Sequence, residues 1–355
     1  MSAYITLEHV LKEILEVIKP RQEDRVSRSQ VIDELRGVIG SVESLRGATV
    51  EPYGSFVSDL FTRWADLDIS IDLRKGYVEK NHKLNLLEDL QNALWEIGGW
   101  REMQRIPWAR VPILKFKSSR QSISCDVSVD NLQGQMKSKL LLWISEIDGR
   151  FRDMVLLVKE WAKAHGINDS TSETFNSYSL TLLVIFHFQT CEPAILPPLK
   201  DIYTGNDVAD DLQGVRTVAE ACADNIRKFR NKYRLANRSS LSKLFVSFLA
   251  KFSDIKSKAS KQEICTYTGK WKDKRSDIIY PIFIEDPFEQ QENSARTVNM
   301  SGLRKISEAF ESSHRRLISP DQNEDVRFIT DSSNRMMICF KAFCMCVLFC
   351  VFARL

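Results

Sequence analysis

The stretch YGSFVSDLFTRWADLDISIDL, Tyr53 to Leu73, places Asp66, Asp68 and Asp72 at alternate positions of one short run. At a period of two, Leu67, Ile69, Ile71 and Leu73 point one way and Asp66, Asp68, Ser70 and Asp72 the other, as in a half-buried strand. Carboxylates two residues apart on a strand sit roughly 7 Å apart at Cα. They repel unless a cation lies between them. A divalent metal removes that cost, and a solvated acidic face is the plain alternative. A second run, SISCDVSVD, repeats the pattern: Ile123, Cys125, Val127 and Val129 share one face, Ser124, Asp126, Ser128 and Asp130 the other. If the two strands pair side by side, Asp126 joins Asp66 and Asp68 in a cluster suited to Mg²⁺ completed by substrate phosphate oxygens. Asp72 and Asp130 lie too far along their strands to join and read as structural or solvated. Gly54 and Ser55, eleven residues and more before the first of these carboxylates, are types that let backbone approach a phosphate and donate to it.

These residues need an α/β scaffold, and the chain offers one. Strand-like alternation recurs from about 46 to 132, in ATVEPYGSF, ADLDISIDL, ARVPILKFK and SISCDVSVD, with a helical pattern from Lys83 to Ile97 between the second and third. From Lys137 the period becomes helical and stays mostly so to Arg316. The expected fold class is α+β: a mixed sheet with helices, then a helical domain. The expected boundaries are 1–45 for N-terminal helices packing on the helical domain, 46–136 for the sheet domain, 137–316 for the helical domain and 317–355 for a tail.

Composition narrows the function classes. The 355 residues, 43% apolar and 10% aromatic, are enough for two globular domains. A net charge of +3 means that any polyanion-binding surface is local. Eight cysteines include no C-x-x-C pair, and four fall in the last 17 residues, against a disulfide framework or a zinc knuckle and for a reducing, intracellular setting. Met1 to Lys19 reads as an amphipathic helix ended by Pro20, without a secretory pattern. The apolar run Ala342 to Ala353 is twelve residues, short of the ~20 that a spanning helix needs, so no membrane is expected. The five histidines show no metal-ligand spacing, and His187 within LLVIFHFQ reads as a core residue.

The set G-S, D-x-D and a later strand Asp resembles the DNA polymerase β nucleotidyltransferase superfamily. FRDMVLLVKEWAKAH, FNSYSLTLLVIFHFQ and IEDPFEQQENSARTV resemble the central, PAP-associated domain of terminal uridylyltransferases and non-canonical poly(A) polymerases. From Leu11 to Arg316 the chain is similar to the plant small-RNA uridylyltransferases that tail unmethylated microRNAs, without the long Gln/Asn-rich extension of those proteins. The resemblance implies a cleft between the two domains and a template-independent transfer of UMP from UTP to an RNA 3′-hydroxyl, releasing pyrophosphate. It implies two Mg²⁺ or Mn²⁺ ions on Asp66, Asp68 and Asp126. Expected partners are the single-stranded 3′ end of small RNA, a nucleoside triphosphate and Argonaute-type effector proteins, in the nucleus and cytoplasm. An adenylyltransferase and an inactive RNA-binding form are the alternatives.

The same resemblance gives roles to further residues, each beside an ordinary alternative. Lys159 and Lys163, at i and i+4 of one helix, match the lysines that hold the triphosphate; a solvated helix face is the alternative. Ser177 matches a phosphate-binding serine, or is a helix cap. Tyr178 matches the tyrosine that stacks on the base, or is a core tyrosine. Asn131 matches a ribose contact, or is a turn residue; Asp286 matches an acid at the base edge, or forms an Asx turn before Pro287. In uridine-selective relatives a histidine lies six residues after that aspartate, where this chain has Glu292. For RNA, Asn225–Leu244 concentrates Arg227, Lys228, Arg230, Lys232, Arg234, Arg238 and Lys243 with Phe229 and Tyr233, as a backbone-tracking patch or a solvated face.

Overall fold

A computed structural model describes residues 3–73, 78–203, 221–229 and 236–318. It divides into two compact units, Lys19–Glu146 in one, and residues 3–18, 147–203 and 236–318 in the other.

The first unit is built on five strands, β1 (Thr49–Tyr53), β2 (Leu67–Asp72), β3 (Trp100–Ile106), β4 (Ile113–Ser118) and β5 (Ser124–Val129), in the order β1-β2-β5-β4-β3. Only the β2–β5 pair is parallel among them. One face is closed by α2 (Gln22–Ser41) and α4 (Lys80–Ile97), where α1 (Ala3–Ile18) and the short α3 (Gly54–Val57) are the other helices in this stretch. On α2 the apolar positions Val31, Ile32, Leu35, Val38 and Ile39 make one stripe, and on α4 Leu86, Leu87, Leu90 and Leu94 make another. Both meet Leu67, Ile69, Ile71, Leu114, Phe116, Cys125, Val127 and Val129. Each such aliphatic side chain contributes roughly 1.5–3 kcal/mol by leaving water. Asp24 Oδ2 accepts from the Arg21 N–H at 2.7 Å and starts α2. Gly98, at φ 74°, ends α4 by donating to the Leu94 carbonyl.

The opposite face of β2 is not solvated. Ser70 and Asp72 are buried, because α5 (Leu132–Ile147) brings Gln135 to Asp72, with Nε2 at 3.0 and 2.8 Å from its two oxygens. The expectation of a polar, open face therefore holds only at the start of β2.

The second unit packs α1 against α6 (Gly149–Ala164) and α9 (Leu241–Phe252). It also holds α7 (Ser177–Thr190), α10 (Ile255–Ala259) and α11 (Met300–Ile318), while residues 221–229 are helical (α8). Trp161, Phe248, Phe252 and Phe310 stack at its centre. Some of its interior polar groups pair locally: Trp161 Nε1 donates to Ser313 Oγ at 3.0 Å, and His187 Nε2 meets Ser247 Oγ at 3.2 Å. Burial first, then the Lys251 charge, pushes the His187 imidazole down to about 3, so it stays neutral, as a core residue. Among the described residues no helix is long and apolar enough to cross a membrane.

Three features differ from the sequence expectations. The N-terminal helices 1–45 do not act together: α1 packs on the helical unit, but α2, after Pro20, spends its apolar stripe on β1 and α4. The boundary falls after Glu146 and not after 136, since α5 starts at Leu132 and belongs almost wholly with the sheet. The helical unit also holds a small sheet, β7 (Lys270–Asp273), β6 (Gln262–Cys265) and β8 (Ile284–Glu285), in the order β7-β6-β8. Strands of two to four residues are too short to show a period.

One buried cation ties α2 to the segment that delivers Asp66. Arg28 donates to the carbonyls of Asp24 at 3.0 Å, Arg63 at 3.1 Å and Ala65 at 2.5 Å, with its guanidinium 4.9 Å from the Phe61 ring. Desolvation lowers its pKa, opposed chiefly by Asp24. Replacing it by methionine removes the donor from the part-buried carbonyls of Arg63 and Ala65, so urea unfolding of Arg28→Met is expected to show a loss of about 1–3 kcal/mol. A loss below about 0.5 kcal/mol, the range of ordinary surface changes, would mean that the arginine does not hold this segment.

Candidate active site

The carboxylates come from two adjacent strands. In the parallel β2–β5 ladder Asp68 lies directly beside Asp126, and in β1–β2 Tyr53 lies beside Asp68. Asp66, one residue before β2, is exposed, whereas Asp68 and Asp126 are half-buried. On the far side of β5, Lys115 of β4 is the register partner of Asp126, and its Nζ is 2.9 Å from Asp126 Oδ2.

The surroundings respond to the three charges together. Desolvation lowers the Lys115 pKa, but the hydrogen bond and charge of Asp126, then Asp66 and Asp68, outweigh it and raise the group overall. Burial, then Asp126, Asp66 and Asp68, with Arg28 opposing, pushes the Cys125 thiol up to about 12. Burial and the Asp68 charge push the Tyr53 phenol to about 12 against the hydrogen bonds of Ser128 and Asn131. Tyr53, beside Asp68, and Cys125, on the core face of β5, are therefore neutral and not acids or bases.

Gly54 lies against this cluster. Its φ is +69°, and a Cβ there would fall 1.9 Å from Asp68 Oδ2, so both conformation and space require glycine. Its N–H donates to Ser138 Oγ at 2.6 Å. The close approach that the sequence assigns to a phosphate is made, in the structure, to the Asp68 carboxylate. Ser55 is half-buried on α3, its carbonyl accepting from Leu60 N–H at 3.0 Å.

Asp72 and Asp130 serve the fold. Asp72 is held by Gln135 and Ser70, and Asp130 Oδ1 accepts from the Leu73 N–H at 2.7 Å. Asn131 Oδ1 accepts from Gly134 N–H at 3.0 Å and caps α5, and its own N–H donates to Ser70 Oγ at 2.9 Å.

The donor set suits a hard divalent ion: carboxylate oxygens, two of them side by side, with an ammonium already standing against one. Among the described residues no group of three or more His, Cys, Asp or Glu side chains is placed to hold a metal ion, so the structure pairs Asp68 with Asp126 but does not gather Asp66 with them into the expected three-carboxylate cluster.

The other expected residues lie on the helical unit. Lys159 and Lys163 stand one turn apart on α6; Lys159 is buried, and Lys163 Nζ is 3.0 Å from Oε1 of the buried Glu160. Ser177 opens α7 but does not cap it. Asn176 does that, its Oδ1 accepting from Ser179 N–H at 2.7 Å, while exposed Ser177 donates to Asn168 Oδ1 at 3.2 Å.

Tyr178 and Asp286 are brought together, the phenol donating to Asp286 Oδ1 at 3.2 Å. Desolvation, then the Asp286 charge, holds that phenol well above its usual range. The same oxygen accepts from the N–H groups of Phe288 at 3.0 Å and Glu289 at 3.2 Å, an Asx turn of the kind expected before Pro287. The turn and the tyrosine contact coexist. Glu292 is exposed, and its carbonyl accepts from Asp286 N–H at 2.9 Å, closing the loop.

Asn293, which sequence reasoning passed over, fastens that loop. It is buried, its Oδ1 accepting from Ile284 and Ala295 N–H at 3.0 Å each and its Nδ2 donating to Ile282 O at 2.9 Å. Arg28 and Lys115 were missed as well. The alternation in ILKFKS, which sends Lys115 and Lys117 to the polar face of β4, was the available signal for the latter. In the basic stretch, Arg227, Lys228, Arg238 and Lys243 are exposed, and Arg227 pairs with Asp224 at 3.0 Å. Arg230, Lys232, Tyr233 and Arg234 lie outside the described residues, as do 319–355.

Comparison with known proteins agrees with this geometry. The family model described as "Poly(A) RNA polymerase, mitochondrial-like, central palm domain" matches residues 7–146. Protein HESO1 of Arabidopsis thaliana is 55% identical over 334 residues, covering 90% of this chain and 65% of that protein. Poly(A) RNA polymerase cid11 of Schizosaccharomyces pombe is 25% identical, covering 84% of this chain and 60% of that one. The chain thus spans less than two thirds of the length of these relatives. Among solved structures, the Cid1 poly(U) polymerase with MgGTP superposes with a TM-score of 0.73 at 24% identity, covering 88% of this chain and 95% of that one. With a polymerase β-type fold, paired strand carboxylates and these relatives, the chain belongs to the terminal uridylyltransferase and non-canonical poly(A) polymerase family.

Proposed function

We propose that the chain is a template-independent RNA 3′-terminal nucleotidyltransferase that adds UMP from UTP to small RNAs. The observation that carries this reading is the register that sets Asp68 beside Asp126 on parallel strands, with Asp66 at the strand entrance. In this reading Asp66, Asp68 and Asp126 hold two Mg²⁺ or Mn²⁺ ions. When bound, these supply activation of the RNA 3′-hydroxyl and neutralisation of the phosphates.

Residues of the helical unit bind and select the nucleotide. Lys159 and Lys163 neutralise the triphosphate, with Glu160 holding Lys163 in place before substrate arrives. Ser177 donates to a phosphate oxygen, and Tyr178 stacks on the base. Asp286, its carboxylate fixed by three donors at one oxygen, accepts from the base edge. Asn131 contacts the ribose, and Gly54 and Ser55 lie at the phosphate side of the sheet unit. The uridine preference is supported by the 55% likeness to HESO1. Argonaute-type partners and action in both nucleus and cytoplasm belong to the same proposal.

Extension of labelled single-stranded RNA with each triphosphate in turn tests the reading. UMP addition is expected, and a preference for ATP would replace it by an adenylyltransferase. Asp126→Asn keeps the strand and loses a metal charge; it is expected to abolish extension with an unchanged circular dichroism spectrum, and normal tailing by this variant would overturn the triad. For base choice, Glu292 stands exposed where uridine-selective relatives carry histidine. Glu292→His is expected to raise the UTP:ATP ratio of kcat/KM by roughly tenfold. An unchanged ratio would place selection elsewhere than this loop.

A further inference from the structure

The Lys115–Asp126 pair is not an ordinary surface ion pair. Its lysine is the register neighbour of Asp126 across β4–β5, so the strand pairing itself delivers the ammonium to the carboxylate. The next residues on that strand, Leu114 and Phe116, are buried in the core, which fixes the direction of the lysine stem. Arg28, whose charge also couples to Asp66, has its guanidinium committed to the carbonyls of Asp24, Arg63 and Ala65.

We propose that Lys115 is the resident counter-cation of the carboxylate cluster, and that a divalent ion must displace its ammonium from Asp126 to bind. This rests on the nucleotidyltransferase reading, which requires a metal at these carboxylates. Two like charges held side by side by a parallel ladder cost free energy in the metal-free protein, and the lysine offsets that cost. The same contact then opposes the metal, by occupying Asp126 Oδ2 and by placing a positive charge beside the incoming dication. Lys115 therefore sets metal affinity and metal-free stability in opposite directions. It is a positioning residue and touches no reacting atom.

The test is Mn²⁺ titration of the full chain followed by electron paramagnetic resonance of the free ion, without nucleotide or RNA. Melting temperatures are measured with and without metal. Lys115→Met keeps the stem and removes the charge. It is expected to bind Mn²⁺ about fivefold or more tightly than wild type, as removal of a nearby like charge implies. Its metal-free melting temperature is expected to fall and its metal-induced rise to grow, while Lys115→Arg stays close to wild type in both.

Lys115→Gln gives the same comparison should the methionine variant fail to fold. Mn²⁺ affinity unchanged or weaker in the neutral variants, with wild type binding normally, overturns the counter-cation role alone. A wild type that binds Mn²⁺ no more tightly than Asp126→Asn overturns the metal assignment beneath it.

Discussion

Two carboxylates held side by side by a parallel strand pair are the constraint around which the sheet unit is arranged. Like charges on neighbouring strands destabilise a ladder, so Asp68 and Asp126 have to be compensated by everything near them. The fold answers in three ways. It places Lys115 across from Asp126. It clears space beside Asp68 with Gly54, where any side chain would collide with the carboxylate. It sets beside Asp68 a group that stays neutral, the Tyr53 phenol, pushed up to about 12.

The cost is carried by the hydrophobic face. Leu67, Ile69 and Ile71 alternate with the polar positions of β2, and Cys125, Val127 and Val129 do the same on β5. A slip of one residue in either strand would bury a carboxylate among the leucines of α2 and α4, so the core fixes the register that brings the acids together. Arg28 extends the same control to Asp66, which precedes the strand and cannot be placed by the ladder. In the helical unit the equivalent anchor is Asp286. One of its oxygens gathers two backbone N–H groups and the Tyr178 hydroxyl, so the tyrosine and the loop to Glu292 are positioned by one acceptor.

Much of the sheet unit was legible because its signals are local. Alternation marked β2 and β5, and the family motifs marked Asp66, Asp68 and Asp126. What alternation cannot give is the partner of each strand, and Lys115 matters only through its partner. Arg28 escaped for a similar reason: a single arginine in an amphipathic helix looks like a surface residue until the carbonyls of Arg63 and Ala65 are known to lie over it. The buried polar face of β2 also needed the three-dimensional neighbour, since Asp72 reads as structural or solvated until Gln135 is placed. The small sheet and the division of labour between α1 and α2 depend on tertiary packing, which overrides the period of short segments.

The most direct measurement is a crystal structure of the chain soaked with Mn²⁺ and a non-hydrolysable UTP analogue, read by anomalous difference density. A peak in ligand contact with Asp68 and Asp126 is expected, with the Lys115 ammonium moved off Asp126. Mn²⁺ density elsewhere, with the Lys115–Asp126 contact intact and these carboxylates empty, would contradict it.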